Sequence, residues 1–286
     1  MITTQEGIVN IRGVKHYYQW IRDTETGSQP KPIMVFIHGW GGSCRYWCTT
    51  ARAIAPNFDC LLYDMRGFGK SSPQGENGEI WGYELEDYAQ DLLILLDTFN
   101  LDKIYLNSHS MGASIATLFL NIAPEKIEKA ILTCNGIFSY NALAFSAFHQ
   151  VGGYVVKFRY NWFLKVPLAE KLFMARFLNK PIEKAMSIAF LEDFLLADYQ
   201  AALNTIYTSV SKKAVEIMPQ EYQKISVPTL LISGEKDQII PASMGKAAAI
   251  LNPEKVTYVQ IPETGHFPML EDAPTYLKII NDFLEN

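Results

Sequence analysis

Apolar runs and alternating stretches divide the chain into a recurring order of strand and helix. Residues 7–23, GIVNIRGVKHYYQWIRD, alternate loosely on either side of Gly13, which predicts a β-hairpin. After a polar loop, TETGSQPK at 24–31, the unbroken apolar run Ile33 to Ile37 suits a strand covered on both faces, as in a parallel sheet. A second buried strand opens FDCLLYDMRGFGKSS (58–72) and gives way to a glycine-spaced loop. The amphipathic stretch GYELEDYAQDLLILLDTFN follows as a helix with acids in its first turns. Ile104, Tyr105 and Leu106 form a short strand that turns directly into a helix carrying Ile115, Ala116, Leu118 and Phe119. KAILTCNGIF is a further buried strand, ending near Asn135.

From residue 138 to 218 the pattern changes. Strands vanish and aromatic helical segments take over, among them FSAFHQVGGYVVKFRYNWFLKV and EDFLLADYQAALNTIY. Strand character returns at PTLLISG (228–234) and again at VTYVQIP, before a terminal helix that opens near Glu271. The expected division is an α/β core, 1–137 and 219–286, interrupted by an all-helical cap, 138–218, placed as a lid. The cap's aromatics are expected to serve chiefly as its own small core, and in part as the lining of an apolar pocket. Lys157, Arg159 and Lys165 alternate with Phe158, Tyr160, Trp162 and Phe163; their expected arrangement is stems over apolar neighbours and charges in water. Peripheral membrane contact is the lesser reading of the same stretch.

Composition narrows the class. A chain of 286 residues, 49% hydrophobic and 13% aromatic, fills one large domain or one domain with an insertion. The formal charge of -5 offers no electrostatic reason to bind nucleic acid. Cys44, Cys48, Cys60 and Cys134 lack paired metal-ligand spacing and read as reduced thiols, mostly in the core, so no metal site is expected from them. The start, MITTQEGIVNIRG, has neither the basic residues nor the apolar run of a signal peptide, and no segment is apolar enough to span a bilayer. A cytoplasmic protein is the resulting expectation.

The chemistry concentrates in KIYLNSHSMGASIATLFL, residues 103–120. A strand reversing into a helix around Ser110 is the shape of a nucleophile elbow: it strains the serine backbone and lifts the hydroxyl clear. It also turns the N–H of Met111, at the positive end of the new helix, toward any oxyanion formed there. Taken alone, Ser110 reads equally well as an N-cap serine. Such turns need small residues; Gly112 supplies one, and Ser108 stands where the G-x-S-x-G pattern has glycine. The run 33–37 ends in His38, Gly39, Trp40, Gly41 and Gly42, where a second donor, the N–H of Trp40, is expected. Asp64 and Arg66 are expected to brace their loop as a salt bridge rather than take part in chemistry.

A carboxylate and a base complete the set. Asp237 follows the strand 228–234, at the sheet edge where sites form in open α/β folds, with Glu235 as a weaker rival. His266 follows a glycine in the loop after the last strand. The other histidines fit less well. His16 lies in the hairpin, His38 in the glycine turn, His149 in the helical insertion, and His109 is expected to point away from the Ser110 hydroxyl. In this scheme His266 takes the serine proton and Asp237 fixes the imidazole tautomer.

With HGWGG at 38–42, DMRGFGKSS at 64–72, SHSMGA at 108–113, GEKDQIIP at 234–241 and GHFPMLEDAP at 265–274, the chain resembles the α/β-hydrolase superfamily nearly end to end. The branch it resembles is the lid-bearing one of esterases, lipases, thioesterases and C–C bond hydrolases. The resemblance implies a mostly parallel eight-stranded sheet, a helical cap after the sixth strand and a triad that needs no cofactor. It assigns Ser110 as nucleophile, Asp237 as acid, His266 as base, and Met111 and Trp40 as oxyanion donors. A serine at 110 sets the chain apart from relatives with an aspartate nucleophile, the haloalkane dehalogenases and epoxide hydrolases. Asn135 occupies the place where some relatives carry the acid. The expected activity is hydrolysis of an apolar carboxylic ester or thioester. A C–C hydrolase acting on a vinylogous diketone and a ligand-holding receptor are the alternatives.

Overall fold

A computed structural model of the chain describes residues 1–25, 30–76 and 78–285. The hairpin consists of β1 (Ile2–Ile11) and β2 (Val14–Asp23), joined at Arg12 and Gly13. It begins earlier than the alternation suggests, because Ile2–Glu6 pair along β2 although they remain exposed. Of the polar loop at 24–31, residues 26–29 lie outside the described residues. Beyond the hairpin come β3 (Ile33–Ile37), a 3-10 turn capped by Ser43, α1 (Cys48–Ile54), β4 (Asp59–Tyr63) and α2 (Leu85–Thr98). A reciprocal capping box between Glu84 and Asp87 starts α2. The chain continues through β5 (Ile104–His109), α3 (Met111–Ile122) and β6 (Ile127–Thr133).

All eight strands form one sheet, in the order β1-β2-β4-β3-β5-β6 and then two later strands, β7 (Thr229–Gly234) and β8 (Val256–Ile261). The hairpin pairs antiparallel, and every pairing from β4 through β3 to β8 is parallel. Strand alternation divides the core. Val35, Ile37, Leu106 and Leu132 face one side, packed against α2 and α3; Met34, Phe36, Ile131 and Ile232 face the other, with α1. Two buried faces account for the continuous apolar run of β3 and for the burial of every residue of β7.

Between β6 and β7 lie only helices: α4 (Ala142–Lys157), α5 (Ala169–Met174), α6 (Lys184–Leu196), α7 (Tyr199–Ser209) and α8 (Lys212–Lys224), with a 3-10 turn at Asn161–Lys165. The expected division at 218/219 falls inside α8, which continues through Pro219. Met218 and Tyr222 join the core that covers α3, so the last of these helices packs as part of the sheet's helical layer. The remaining helices are α9 (Ala242–Ile250), the short α10 (Pro268–Glu271) and α11 (Ala273–Glu285).

Two expectations change. Arg66 and Asp64 do not pair with each other. Arg66 is fully buried, donates to Asp91 on α2 at 3.0 Å and to the carbonyls of Trp81 and Gly82, and lies over the Tyr88 ring. Asp64 instead accepts the backbone N–H groups of Cys44 and Lys70. Asp64 thus braces the loop from within, through Lys70, while Arg66 takes its partners from distant elements that local spacing does not reveal. The aromatics at 154–162 also differ from expectation: Tyr154, Phe158, Tyr160 and Trp162 are exposed instead of forming an internal core.

Candidate active site

The loops after the carboxyl ends of β3, β5, β6, β7 and β8 converge at one edge of the sheet, the position open α/β sheets give to their sites. Ser110 follows β5 and caps α3 with φ 55 and ψ -123, a strained conformation for a residue with a side chain. The close approach behind it requires Gly112, where a Cβ would stand 2.3 Å from the His38 carbonyl oxygen. Ser108 is tolerated in place of glycine because its hydroxyl donates to the Ile131 carbonyl on β6 at 3.0 Å.

The Ser110 hydroxyl donates to His266 Nε2 at 2.9 Å, and His266 Nδ1 donates to Asp237 Oδ2 at 2.7 Å. The other carboxylate oxygen, Oδ1, accepts the N–H groups of Ile239 and Ile240 at 2.8 and 3.0 Å. Burial pushes the Asp237 carboxyl up. The His266 ring and the two N–H groups outweigh that and hold it below its ordinary value. An ionised Asp237 keeps the proton on His266 Nδ1 and leaves Nε2 as an acceptor. Glu235 is turned elsewhere, accepting the Glu263 N–H and pairing with Lys236. Asp237 and His266 approach because Gly234 has no side chain: a Cβ there would lie 1.9 Å from the Gly265 carbonyl oxygen.

Met111 N–H opens α3, and Trp40 N–H belongs to the glycine loop after β3; among the described residues neither has a protein acceptor. The Trp40 indole reaches across to the Ala202 carbonyl on α7 at 2.9 Å. His38 is a buried structural residue. Its Nδ1 donates to the Gly39 carbonyl and its Nε2 accepts the Met65 N–H, and burial pushes its pKa down. His16 is buried beside the Val14 carbonyl, and His149 contacts the Val210 carbonyl, away from Ser110.

Three supports were not foreseen. His109 donates from Nε2 to the His266 carbonyl at 2.7 Å, while its Nδ1 accepts the Tyr46 hydroxyl, which itself accepts the Gly39 N–H. Burial, then the neighbouring His266, drives the His109 pKa well down, so this chain joins the glycine loop to the His266 loop through a neutral ring. Asn135 donates to the Ser110 carbonyl and to Ser114 Oγ, and accepts the Tyr222 hydroxyl at 2.5 Å. The Glu271 carboxylate accepts N–H groups from Gly265 and Phe267, on either side of His266, and from Asn179 and Lys180. An acid four residues beyond Phe267 is the one local hint of this clasp. The His266 N–H completes it by donating to the Phe177 carbonyl at 2.7 Å.

Beside the glycine loop lies a small apolar cavity walled by Trp40, Phe173, Phe177, Phe190, Phe194 and Phe267. His109, Cys134 and His266 bring possible ligand atoms within 4.8 Å of one another. The hydrogen bonds of both rings, and burial that raises the Cys134 thiol pKa well above its ordinary value, oppose metal binding there.

A sheet of this order with these loops at its carboxyl edge defines an α/β-hydrolase. The family model described as alpha/beta hydrolase fold matches residues 32–273, and the chain belongs to that family. Among its relatives, the Bacillus subtilis hydrolase YugF is 23% identical over 280 residues, covering 96% of each chain. A 2-hydroxy-6-oxononadienedioate/2-hydroxy-6-oxononatrienedioate hydrolase of Klebsiella pneumoniae is 26% identical, covering 89% of this chain and 87% of its own. The structure of an esterase from Exiguobacterium antarcticum superposes with a TM-score of 0.80 at 18% identity, over 99% of this chain and all of that one, a likeness of fold alone. Among the described residues no helix is long and apolar enough to cross a membrane.

Proposed function

We propose that the protein is a serine hydrolase that cleaves a carboxylic ester or thioester bearing an apolar group. The observation carrying this reading is the hydrogen-bonded chain from the Ser110 hydroxyl through His266 to Asp237, with Ser110 held at a positive φ. Ser110 Oγ attacks the carbonyl carbon as its proton passes to His266 Nε2. The oxyanion is met by the N–H groups of Met111 and Trp40, each worth about 3 kcal/mol of transition-state stabilisation. Collapse of the tetrahedral species expels the alcohol or thiol, which takes the proton from His266 and leaves an acyl group on Ser110. Water, deprotonated by His266, then attacks the acyl carbonyl and restores the serine. No cofactor enters this scheme.

Helices α4 to α7 act as a lid in this reading. Its fixed edge is tied to the core by Ser43 and Arg45, both bonded to the Asp193 carboxylate on α6, and by the Trp40 indole on α7. The aromatic cavity beside Trp40 suits an apolar acyl or alcohol group. It also favours an ester over a dicarboxylate of the kind named for the Klebsiella relative, because among the described residues no charged side chain lines it. The test is hydrolysis of p-nitrophenyl esters from acetate to palmitate. A defined chain-length optimum is expected. No turnover of any ester by folded protein, with cleavage of a coloured dienone acid instead, overturns the ester reading in favour of C–C bond hydrolysis.

A further inference from the structure

The outer surface of the helical segment is built the wrong way round for water. In α4 and the turn after it, Phe148, Val151, Tyr154 and Phe158 recur at helical spacing, and all four are exposed. The opposite face of α4 is already used: Val156 is buried, and Gly152 lies close to Ile206 of α7. Among the described residues the apolar stripe therefore has no partner within the chain. It continues through Trp162, 56% exposed, to Leu172 on α5, 81% exposed. Trp162 and Phe163 stack at 4.4 Å between ring centroids, so the surface is a broad aromatic shelf instead of scattered side chains.

The charge around this shelf selects its occupant. Residues 138–182 carry Lys157, Arg159, Lys165, Lys171, Arg176 and Lys180 against the single acid Glu170, in a chain whose formal charge is -5. Arg159 is turned inward to the Phe194 carbonyl, but Lys157, Lys165 and Lys171 are exposed and, among the described residues, have no carboxylate partner. Aromatic side chains rimmed by free lysines match the headgroup level of an anionic bilayer, where each lysine contributes and rings partition readily. A second copy of the chain would set basic rim against basic rim.

We propose that this face, from Phe148 to Leu172, docks on an anionic lipid surface. The α5 helix links docking to the site: Leu172 points outward while Phe173 walls the apolar cavity beside Trp40. Resting on the ester-hydrolase reading, the substrate class that follows is acyl esters drawn from the bilayer.

The experiment is co-sedimentation of the full chain with phosphatidylcholine vesicles, with or without roughly a third phosphatidylglycerol. The wild type is expected to sediment with the anionic vesicles and to be released by salt. Phe158→Ala, Trp162→Ala and Leu172→Ala combined should lower partitioning at least roughly tenfold, and Lys157→Glu, Lys165→Glu and Lys171→Glu combined should abolish the preference for anionic lipid. Both sets should keep wild-type hydrolysis of a short soluble ester, which also checks their folding. Ser110→Ala should bind vesicles like the wild type, which separates failure of docking from failure of the catalytic reading. Wild type that stays in the supernatant, or binds neutral and anionic vesicles equally, overturns the proposal. So does a solution dimer that the aromatic substitutions convert to monomer.

Discussion

Replacing Ser110 with alanine is expected to lower ester turnover by about 10⁴-fold or more while the fold survives. Among the described residues the only partner of the Ser110 hydroxyl is His266 Nε2, and the side chain is half-buried at the site edge. Its removal leaves no cavity in the core, and alanine meets the same backbone strain at φ 55 as serine does. The matching observation is an unchanged thermal unfolding midpoint beside the lost activity. Turnover at the wild-type rate in this variant would remove Ser110 from the chemistry altogether.

Asp237→Asn is expected to cost about 10⁴-fold, although it changes one atom. Both carboxylate oxygens accept: Oδ1 from Ile239 and Ile240, Oδ2 from His266. An amide must present its NH₂ to one of those sides. Facing the backbone, it sets donor against donor. Facing His266, it forces the ring proton to Nε2, where the ring cannot take the serine proton. Glu235→Gln, on a carboxylate directed at the Glu263 N–H, should stay near wild-type activity. A damaging Glu235→Gln beside a harmless Asp237→Asn would reverse the assignment. The variant also has a stability signature. The Asp237 carboxyl is held below its ordinary value of 3.8, so its contribution is present above that pH and lost as the pH falls through the lowered value. The stability gap between wild type and Asp237→Asn should therefore close only in strong acid, as acid unfolding curves would show.

The parallel core is legible in the sequence because both faces of its strands are buried, so β3 appears as an unbroken apolar run and β7 as a largely apolar one closed by Gly234. The candidate site is legible for a related reason. A serine strained between a strand and a helix requires small neighbours, and SHSMGA displays them; the order of Ser110, Asp237 and His266 then selects among the carboxylates and histidines. What does not show is pairing made by closure in three dimensions. Nothing near Arg66 in sequence points to Asp91, and nothing near Asn135 announces that its side chain braces the Ser110 carbonyl. Glu271 reads as a helix-opening acid until the loops of Phe177 and His266 are seen to meet on its carboxylate. The exposed aromatics of α4 are invisible for a different reason. Helical spacing establishes that they share a face, but not whether that face turns toward the core or away from it.

Labelling with a fluorophosphonate, followed by peptide mass mapping, tests the central claim most directly. The account predicts a single adduct on the peptide carrying Ser110, formed with loss of ester hydrolysis and greatly slowed in Asp237→Asn. Undiminished hydrolysis by fully exposed, unlabelled protein, or an adduct on another residue that abolishes turnover, would contradict it.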